Sequence, residues 1–463
     1  MSFQKKLLAF AAVSALSAAT AVPAMALENE FHGMFKFMGY QTNALAGGDT
    51  REILLKDAHS GFFAEQRARI MYIAKANDNL KLVTHFELDT RFGGIGNRTP
   101  TASDPTTGYK GTYGNDSGNL DADQLTLETK NIYLDFNEPN TGANFKVGMQ
   151  PWADAYGSLF LLADMTGAIG TKKIDNFTGQ LGWFRYDDNT VANAVSGPGQ
   201  LTADLIVADG KFAINKDITV GATYYNIQND TGLAASGNYE LLHMIGVNAD
   251  INVGPANIKP FAAYQFGEKN AATDISAYMM GAIAKVKAGP GAVNVSGFYL
   301  SGDKGGTNNN AFQTLTTGTT YFNPANMWLL VRPNQAINTS TSLTGNDMTV
   351  GGRGSMGVFA GYEGAMGKTF YNANVGYMRA AEARAAEKKS IGTEVNAQVG
   401  YKIFDNLTAS VAAAYVFLGD GLKETGVAAN RLSGYKSDNT VQALGAADAD
   451  NPYLFNVQLS YAF

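Results

Sequence analysis

Cysteine is absent from this chain of 463 residues, and its absence excludes several classes of protein. Disulfide bonds cannot hold the fold together, so another source of stability is needed, such as a sheet that closes on itself. Thiolate metal sites and the covalent attachment of a c-type haem both require cysteine. A disulfide-stabilised domain and a c-type cytochrome are therefore excluded.

Basic charge and long apolar runs are also scarce. The chain has 35 Lys and Arg residues against 41 Asp and Glu residues, for a net charge of −6. A nucleic-acid-binding domain carries a basic surplus, so we expect no nucleic-acid partner. Beyond residue 26 no apolar run approaches the roughly 18 residues that a membrane helix needs. The mean hydropathy of −0.13 does not exclude membrane-spanning strands, whose lipid-facing and lumen-facing residues alternate and cancel.

Motifs of catalysis and metal binding are lacking as well. The chain contains no Gly-x-Ser-x-Gly nucleophile motif and no phosphate-binding glycine loop with a lysine. Its histidines are scattered and form no metal-ligand pair; they are His32, His59, His85 and His243. We therefore expect a protein that is not an enzyme and that has no metal or cofactor.

The last thirteen residues, 451–463, show the clearest pattern of the sequence. Apolar and aromatic side chains occupy every second position and the chain ends on a phenylalanine; they are Tyr453, Phe455, Val457, Leu459, Tyr461 and Phe463. An alternation of period two indicates a strand with different environments on its two faces. We predict a membrane-facing strand, with the edge strand of a soluble β-sandwich as the alternative.

The first 26 residues have the organisation of a secretory signal peptide. Lys5 and Lys6 precede an apolar segment at 7–22, and Ala24-Met25-Ala26 offers a cleavage site. The apolar segment is too short to serve as a membrane anchor. We predict a signal peptide at 1–26 and one domain at 27–463.

Between the two ends, alternating segments are joined in turn by short and long connections. Short connections rich in Gly, Asn and Pro occur at 76–79, 137–142, 215–217, 254–256, 289–291, 365–367 and 405–406, and long polar ones at 92–123, 303–349 and 420–450. Short turns on one rim and long loops on the other are typical of a bacterial transmembrane barrel, where the short turns are periplasmic and the long loops extracellular. The sequence thus predicts an all-β fold, a transmembrane antiparallel β-barrel.

The number of strands remains open at 16 or 18. Seventeen candidate strands can be identified, but a barrel with both termini on one side needs an even number. Either the segment 156–163 is an additional strand, or the segment 177–186 does not span the membrane. The sequence does not decide between these two solutions.

The first clear hairpin, 62–91, carries a ladder of opposite charges on one face. Pairing its strands about Asp78 places Arg69 opposite Glu87, Arg67 opposite Asp89 and Glu65 opposite Arg91, with His85 nearby on the same face. Such cross-strand pairs contribute only about 0.2–1 kcal/mol each. On a lumen wall the same charges would create a field that selects solutes. We predict that these residues line a pore; a solvated sheet face is the alternative.

Three features together resemble the Gram-negative outer-membrane porin superfamily, and more loosely the porins of environmental metal-reducing bacteria. They are the Ala24-Met25-Ala26 signal end, the charged hairpin and the closing strand. In such proteins the terminal strand is a signal for the barrel assembly machinery, which the resemblance assigns here to Phe455, Leu459, Tyr461 and Phe463. The resemblance also implies contact with outer-membrane lipid and lipopolysaccharide, and a homotrimer.

The segment 152–175 resembles the porin loop that folds back into the lumen and narrows it. It follows Lys146-Val147-Gly148-Met149-Gln150-Pro151, which is similar to the strand before that loop, although a Pro-Glu-Phe-Gly-Gly-type motif is missing. As a constriction loop it would place Asp154 and Asp164 in the pore, facing the arginines. A lipid-facing strand around 156–163 is the alternative.

The function implied is a water-filled channel for passive diffusion of small hydrophilic solutes and ions. Two other roles are compatible with the sequence. The barrel could be a scaffold that sheathes a redox protein or another partner, or it could be an outer-membrane enzyme with a triad assembled across space.

Overall fold

The protein is described by a computed structural model that covers residues 28–44, 60–93, 127–188, 197–231, 239–305, 310–315, 320–332, 336–337, 341–344, 347–384, 387–423 and 449–463. In these ranges eighteen strands form one antiparallel sheet, which closes by pairing the first strand with the last. The predicted all-β barrel is confirmed, with 18 strands rather than 16. The predicted signal peptide and most of the long connections 92–123 and 420–450 lie outside the described residues.

Most strands have ten to seventeen residues, long enough to cross a bilayer at a tilt. The strands are β1 (Glu28–Thr42), β2 (Gly61–Asn77), β3 (Leu80–Arg91), β4 (Glu128–Asn137), β5 (Asn144–Ala153), β6 (Leu162–Ile174), β7 (Phe177–Asp188), β8 (Thr202–Ala213), β9 (Ile218–Asn229), β10 (Leu241–Val253), β11 (Ala256–Asn270), β12 (Thr273–Ala288), β13 (Gly291–Leu300), β14 (Ser355–Met366), β15 (Thr369–Ala380), β16 (Ser390–Phe404), β17 (Leu407–Leu418) and β18 (Tyr453–Ala462). A 3₁₀ turn (Asn323–Ala325) and a short helix, α1 (Asp420–Lys423), complete the described elements. No helix in these ranges is long and apolar enough to cross a membrane.

Strand β6 is the one that sequence reasoning misplaced. It lies at Leu162–Ile174 and not at 156–163, and β7 spans the barrel as Phe177–Asp188. Within the wall, the face of β6 that points away from the interior carries Thr166, Ala168, Gly170, Lys172 and Ile174, of which only Ile174 is large and apolar. This strand therefore lacks the alternation of apolar and polar residues by which the other strands were recognised.

The two faces of the barrel differ in polarity. Large apolar side chains point outward and are exposed, among them Phe62, Leu181, Val247, Val358 and Phe417. The inner face is polar on β1–β4 and β15–β18. On β7–β14 it is apolar over most of its height and carries charged residues, such as Asp209, Asp250 and Lys259, near the short turns. The short predicted turns all lie on one rim, which we call the short-turn rim.

Candidate functional site: the barrel interior

The charged ladder of β2 and β3 has the register that the sequence predicts. Arg67 pairs with Asp89, Arg69 with Glu87 and Glu65 with Arg91. The Arg67 guanidinium binds Asp89 through two parallel hydrogen bonds, Nε to Oδ1 at 2.7 Å and Nη2 to Oδ2 at 2.5 Å. Paired in this way, the charges compensate one another inside the barrel.

The ladder belongs to the inner face. The Asp89 side chain is 4% exposed and that of Glu65 is 0% exposed, whereas Phe62 and Ile70 on the other face of β2 are 67% and 44% exposed. Lys36 of β1 stands opposite Arg67 and extends the row of charges to the neighbouring strand. Their role in lining a pore remains a prediction. Their position on the inner face is the one that this role requires.

His85 and Asp164 are connected by an amide. The His85 Nδ1 atom lies 3.3 Å from the Asn131 Oδ1 atom, and the Asn131 Nδ2 atom donates to Asp164 Oδ1 at 2.7 Å. Lys130 Nζ donates to Asp164 Oδ2 at 2.6 Å. Asp164 thus binds Lys130 and Asn131 rather than facing the arginines, which corrects its predicted contact.

The hairpin of β5 and β6 leaves the barrel wall at its outer end. Pairing of β5 with β4 stops at Met149 opposite Ile132, and pairing of β6 with β7 stops at Thr166 opposite Arg185. Beyond these points the two strands pair only with each other. We call residues 150–165 the inner hairpin, because its tip lies inside the barrel.

Two glycines sit where the inner hairpin begins. Gly148 and Gly167 face each other in the register of β5 and β6. Gly148 has φ +129°, and a Cβ there would lie 2.3 Å from the Ile132 carbonyl oxygen. A Cβ on Gly167 would lie 2.0 Å from the Trp183 carbonyl oxygen. Only glycine permits the backbone of the hairpin to come so close to the neighbouring strands of the wall.

Asp154 holds the tip of the inner hairpin together. Its carboxylate accepts backbone N–H bonds from Tyr156, Ser158, Phe160 and Leu161, at 2.7 to 2.9 Å. The predicted role of Asp154 opposite the arginines is therefore wrong, because its oxygens are used by its own turn. The segment 152–175 combines the two predicted alternatives. Its tip folds inward like a constriction loop, and the tip is followed by a strand of the wall.

The tip reaches the inner wall across β9 to β11. The Tyr156 hydroxyl is hydrogen-bonded to that of Thr223, and its ring lies 6.3 Å from that of Tyr225 and 5.9 Å from that of Phe261. Tyr156 is fully buried. The inner hairpin therefore occupies part of the lumen as a fixed element.

The described residues between β13 and β14 (301–305, 310–315, 320–332, 336–337, 341–344 and 347–354) also fold into the barrel. We call these residues the inner loop. It was expected among the extracellular loops, and this expectation is wrong. Its apolar residues are buried in the lumen; they include Phe312, Phe322, Trp328, Leu329 and Leu330. The run Trp328-Leu329-Leu330-Val331 was the sequence signal that it is not a solvated loop.

Wall residues hold the inner loop through its backbone. Glu394 of β16, fully buried, accepts N–H bonds from Trp328, Leu329 and Leu330 at 2.8, 2.9 and 2.7 Å. On the other side, Gln265 of β11 makes two bonds of 2.8 Å with the backbone of Gln313. These contacts satisfy polar backbone groups that burial would otherwise leave unpaired.

The inner loop also touches both other parts of the site. Arg67 Nη2 of the ladder donates to the Ile337 carbonyl oxygen at 3.1 Å. The Tyr321 N–H donates to the Ser158 carbonyl oxygen of the inner hairpin at 2.9 Å. The inner loop therefore contacts both the ladder and the inner hairpin.

The polar wall beside the ladder, on the other side of the β1–β18 seam, is made of amides. Asn374 Nδ2 of β15 donates to Asn372 and to Asn396 at 2.8 Å each, and Asn372 donates to Gln398 at 3.0 Å. The inner loop and inner hairpin pack on the apolar wall of β7–β14. The polar residues of the inner face are thus mostly charged on β1–β4 and mostly neutral amides on β15–β18, where the inner loop also binds Asn374 and Asn396.

The predicted assembly signal lies on the outer face. Phe455, Tyr461 and Phe463 are 48%, 38% and 52% exposed, with Leu459 in the same row. The backbone of Phe463 exchanges two hydrogen bonds with that of Gly33, at 2.9 and 3.0 Å. Recognition of these residues by an assembly machinery stays a prediction.

Comparison with known proteins identifies the fold. No protein-family model matches the chain, and neither does any curated protein. Among solved structures, the outer membrane protein opdK from Pseudomonas aeruginosa is similar with a TM-score of 0.52 at 10% identity, over 94% of this chain and 98% of that one. Acinetobacter baumannii OccAB4 and Pseudomonas aeruginosa OccK2 (OpdF) each give a TM-score of 0.53 at 11% identity, with the same coverage. The predicted resemblance to outer-membrane porins is confirmed for the fold.

Proposed function

We propose that this protein is an outer-membrane porin, a water-filled channel for passive diffusion of small hydrophilic solutes and ions. The observation that carries the proposal is a closed barrel with an apolar outer face and a buried charged ladder on its inner face. Charges on the inside and apolar residues on the outside suit a barrel that surrounds water within lipid. The fold that the chain shares with solved outer-membrane proteins supports the same conclusion.

In this proposal the constriction lies where the inner loop contacts the ladder and the inner hairpin. Because the inner loop and inner hairpin cover the apolar wall, a solute passes between these two segments and the continuous polar wall that β15–β18 and β1–β4 form across the β1–β18 seam. Arg67 and Arg69, with Glu65, Glu87 and Asp89, present paired charges to the solute on one side of the constriction. The proposal includes no catalysis and no energy coupling.

In this proposal the signal peptide at 1–26 exports the chain, and the barrel inserts with the short-turn rim in the periplasm. Lipid, lipopolysaccharide and the barrel assembly machinery are its partners, and three copies form a homotrimer. A scaffold role is less well supported than a channel, because the inner loop and inner hairpin take up space that a sheathed protein would need.

The test is single-channel recording in a planar bilayer with purified, detergent-extracted protein under a salt gradient. An open porin gives ohmic steps, in groups of three for a trimer, and a reversal potential that reports ion preference. Liposome swelling with neutral solutes of increasing size measures the width of the constriction. A folded, heat-modifiable barrel that gives neither steps nor swelling would overturn the channel proposal.

A further inference from the structure

The outer face of the barrel has a groove on β5–β8, beside the short-turn rim. Its volume is about 800 Å³. The lining is mostly apolar, with Phe145, Phe177, Leu181 and Trp183 as its large side chains. Leu181 is 70% exposed and Trp183 is 44% exposed. An exposed apolar concavity on a membrane-facing wall is a place where one lipid chain can be held more firmly than the surrounding lipid.

Glycines create the depth of this groove. Gly170 of β6, Gly179 of β7 and Gly210 of β8 belong to neighbouring strands and carry no side chain, so aromatic rings can pack close to the backbone there. A Cβ on Gly170 would be 2.9 Å from Phe145, and one on Gly179 would be 3.0 Å from Phe177. The rings therefore lie low against the sheet, and the groove is a built depression.

The length of the groove fits one leaflet. From Phe177 beside the short turn to Trp183, strand β7 rises about 20 Å at about 3.3 Å per residue. With a strand tilt of about 40° this is about 15 Å along the membrane normal, half of a hydrocarbon core of about 30 Å. An acyl chain of the leaflet on the short-turn side therefore matches the groove from the interface to the membrane centre.

The polar end of the groove carries a cation. Lys172 is part of the lining, and its Nζ donates to the Thr141 carbonyl oxygen in the turn between β4 and β5. A lysine whose stem lies on an apolar wall and whose amine reaches the interface suits a phosphate group. The carboxylate of Glu138 in the same turn accepts hydrogen bonds from Thr141 and Asn140. Its negative charge is therefore partly satisfied within the turn.

We propose that this groove binds a phospholipid of the periplasmic leaflet, with one acyl chain between Phe145, Phe177 and Trp183 and the phosphate at Lys172. The inference rests on the proposed outer-membrane location but not on conductance. A second copy of the chain is a poorer occupant, because a concave surface needs a matching ridge, whereas an acyl chain adapts to the groove.

The test compares a variant that fills the groove with one that adds the same bulk elsewhere. Ala208→Leu places a larger side chain in the groove, since Ala208 is part of its lining. Ala360→Leu adds the same atoms on the exposed outer face of β14. Lys172→Gln removes the charge alone. Lipid bound to each protein is measured by native mass spectrometry after delipidation and addition of dipalmitoyl phosphatidylglycerol or dipalmitoyl phosphatidylethanolamine.

We expect the wild-type chain and Ala360→Leu to retain one phospholipid each, and Ala208→Leu to bind about tenfold more weakly. Lys172→Gln should weaken the anionic lipid more than the zwitterionic one. Equal retention by all variants would overturn the proposal and indicate boundary lipid only. Loss of oligomers in Ala208→Leu without loss of lipid would assign the groove to contact between copies. Lipid retention in a barrel that conducts no ions would contradict the channel and leave this site intact.

Discussion

Gly148 of β5 lies directly opposite Gly167 of β6, and the two mark the level at which the inner hairpin leaves the barrel wall. Each glycine lies so close to the backbone of the adjacent wall strand that a Cβ atom would clash with it. The bend of the hairpin into the lumen therefore depends on the absence of two Cβ atoms.

Replacing either glycine by alanine should destabilise the barrel. Gly148→Ala adds strain at a φ of +129° to its clash with Ile132, and Gly167→Ala adds the clash with Trp183. We expect a loss of about 1–3 kcal/mol for each, measured by urea unfolding in detergent or by the temperature of the heat-modifiability shift. Gly197→Ala is the control, because its Cβ would meet nothing nearer than 3.8 Å. If the three variants are equally stable, the glycines are not what permits the bend.

Loss of the Arg67 and Arg69 charges should make the pore prefer cations. In the Arg67→Ala, Arg69→Ala variant the carboxylates of Asp89 and Glu87 lose their partners. Uncompensated negative charge on the inner wall attracts cations. The reversal potential in a salt gradient should shift accordingly, relative to the wild-type chain and to a Lys216→Ala control in an exposed turn. An unchanged reversal potential would remove both arginines from the pore wall.

Glu394→Gln should loosen the inner loop. The carboxylate serves three backbone N–H groups, whereas an amide offers one oxygen and brings donors of its own. Leaving a buried N–H unpaired costs about 1–3 kcal/mol. We expect larger current noise and more frequent transitions in single-channel records. Glu363→Gln is the matched control, since Glu363 pairs with the exposed Lys285 at the rim. Quiet records from Glu394→Gln would show that the other anchors suffice.

Acid should release the end of the inner loop. Arg353, buried next to β14, binds Glu387 through Nε at 2.7 Å and Nη2 at 2.5 Å. Burial opposes ionisation of Glu387, but the hydrogen bonds and charge of Arg353 outweigh it, so that its pKa is lowered. A lowered pKa in the folded state means that the pair stabilises the protein above the ordinary glutamate pKa. That stability is lost as the pH falls through the lowered value.

Single-channel recording from pH 7 down to well below the free glutamate pKa of about 4.3 checks this, because Glu387 takes up its proton only below that value. The wild-type channel should gain flickering events at the acid end, and Glu387→Gln should show them already at pH 7. Glu382→Gln serves as the control, since Glu382 binds lysines at the surface. If acid adds as many flickering events to Glu387→Gln as it adds to the wild-type channel, the acid effect belongs to another group.

The sequence predicted the strands of the barrel wall better than the inner hairpin and the inner loop. Alternation and turn residues identified the strands and placed Arg67 opposite Asp89 correctly, because both follow from local pairing rules. Strand β6 was misplaced since its outer face carries only one large apolar residue, Ile174. The inner loop was missed because its length resembled that of an extracellular loop, and the contact of Trp328 with Glu394 joins segments far apart in the chain. No local pattern encodes such a contact.

The pairing of Gly33 with Phe463 has a consequence for biogenesis. Every other strand pair joins neighbours in the chain and can form as soon as both strands exist, but the seam between β1 and β18 joins residues separated by almost the whole sequence. Long-range pairing bears the largest loop-closure entropy and is slow. The open sheet therefore persists with two unpaired edges until β18 is available, and a chain that lacks β18 cannot complete the circle. Closure of the barrel thus requires the two strands that are made furthest apart in time.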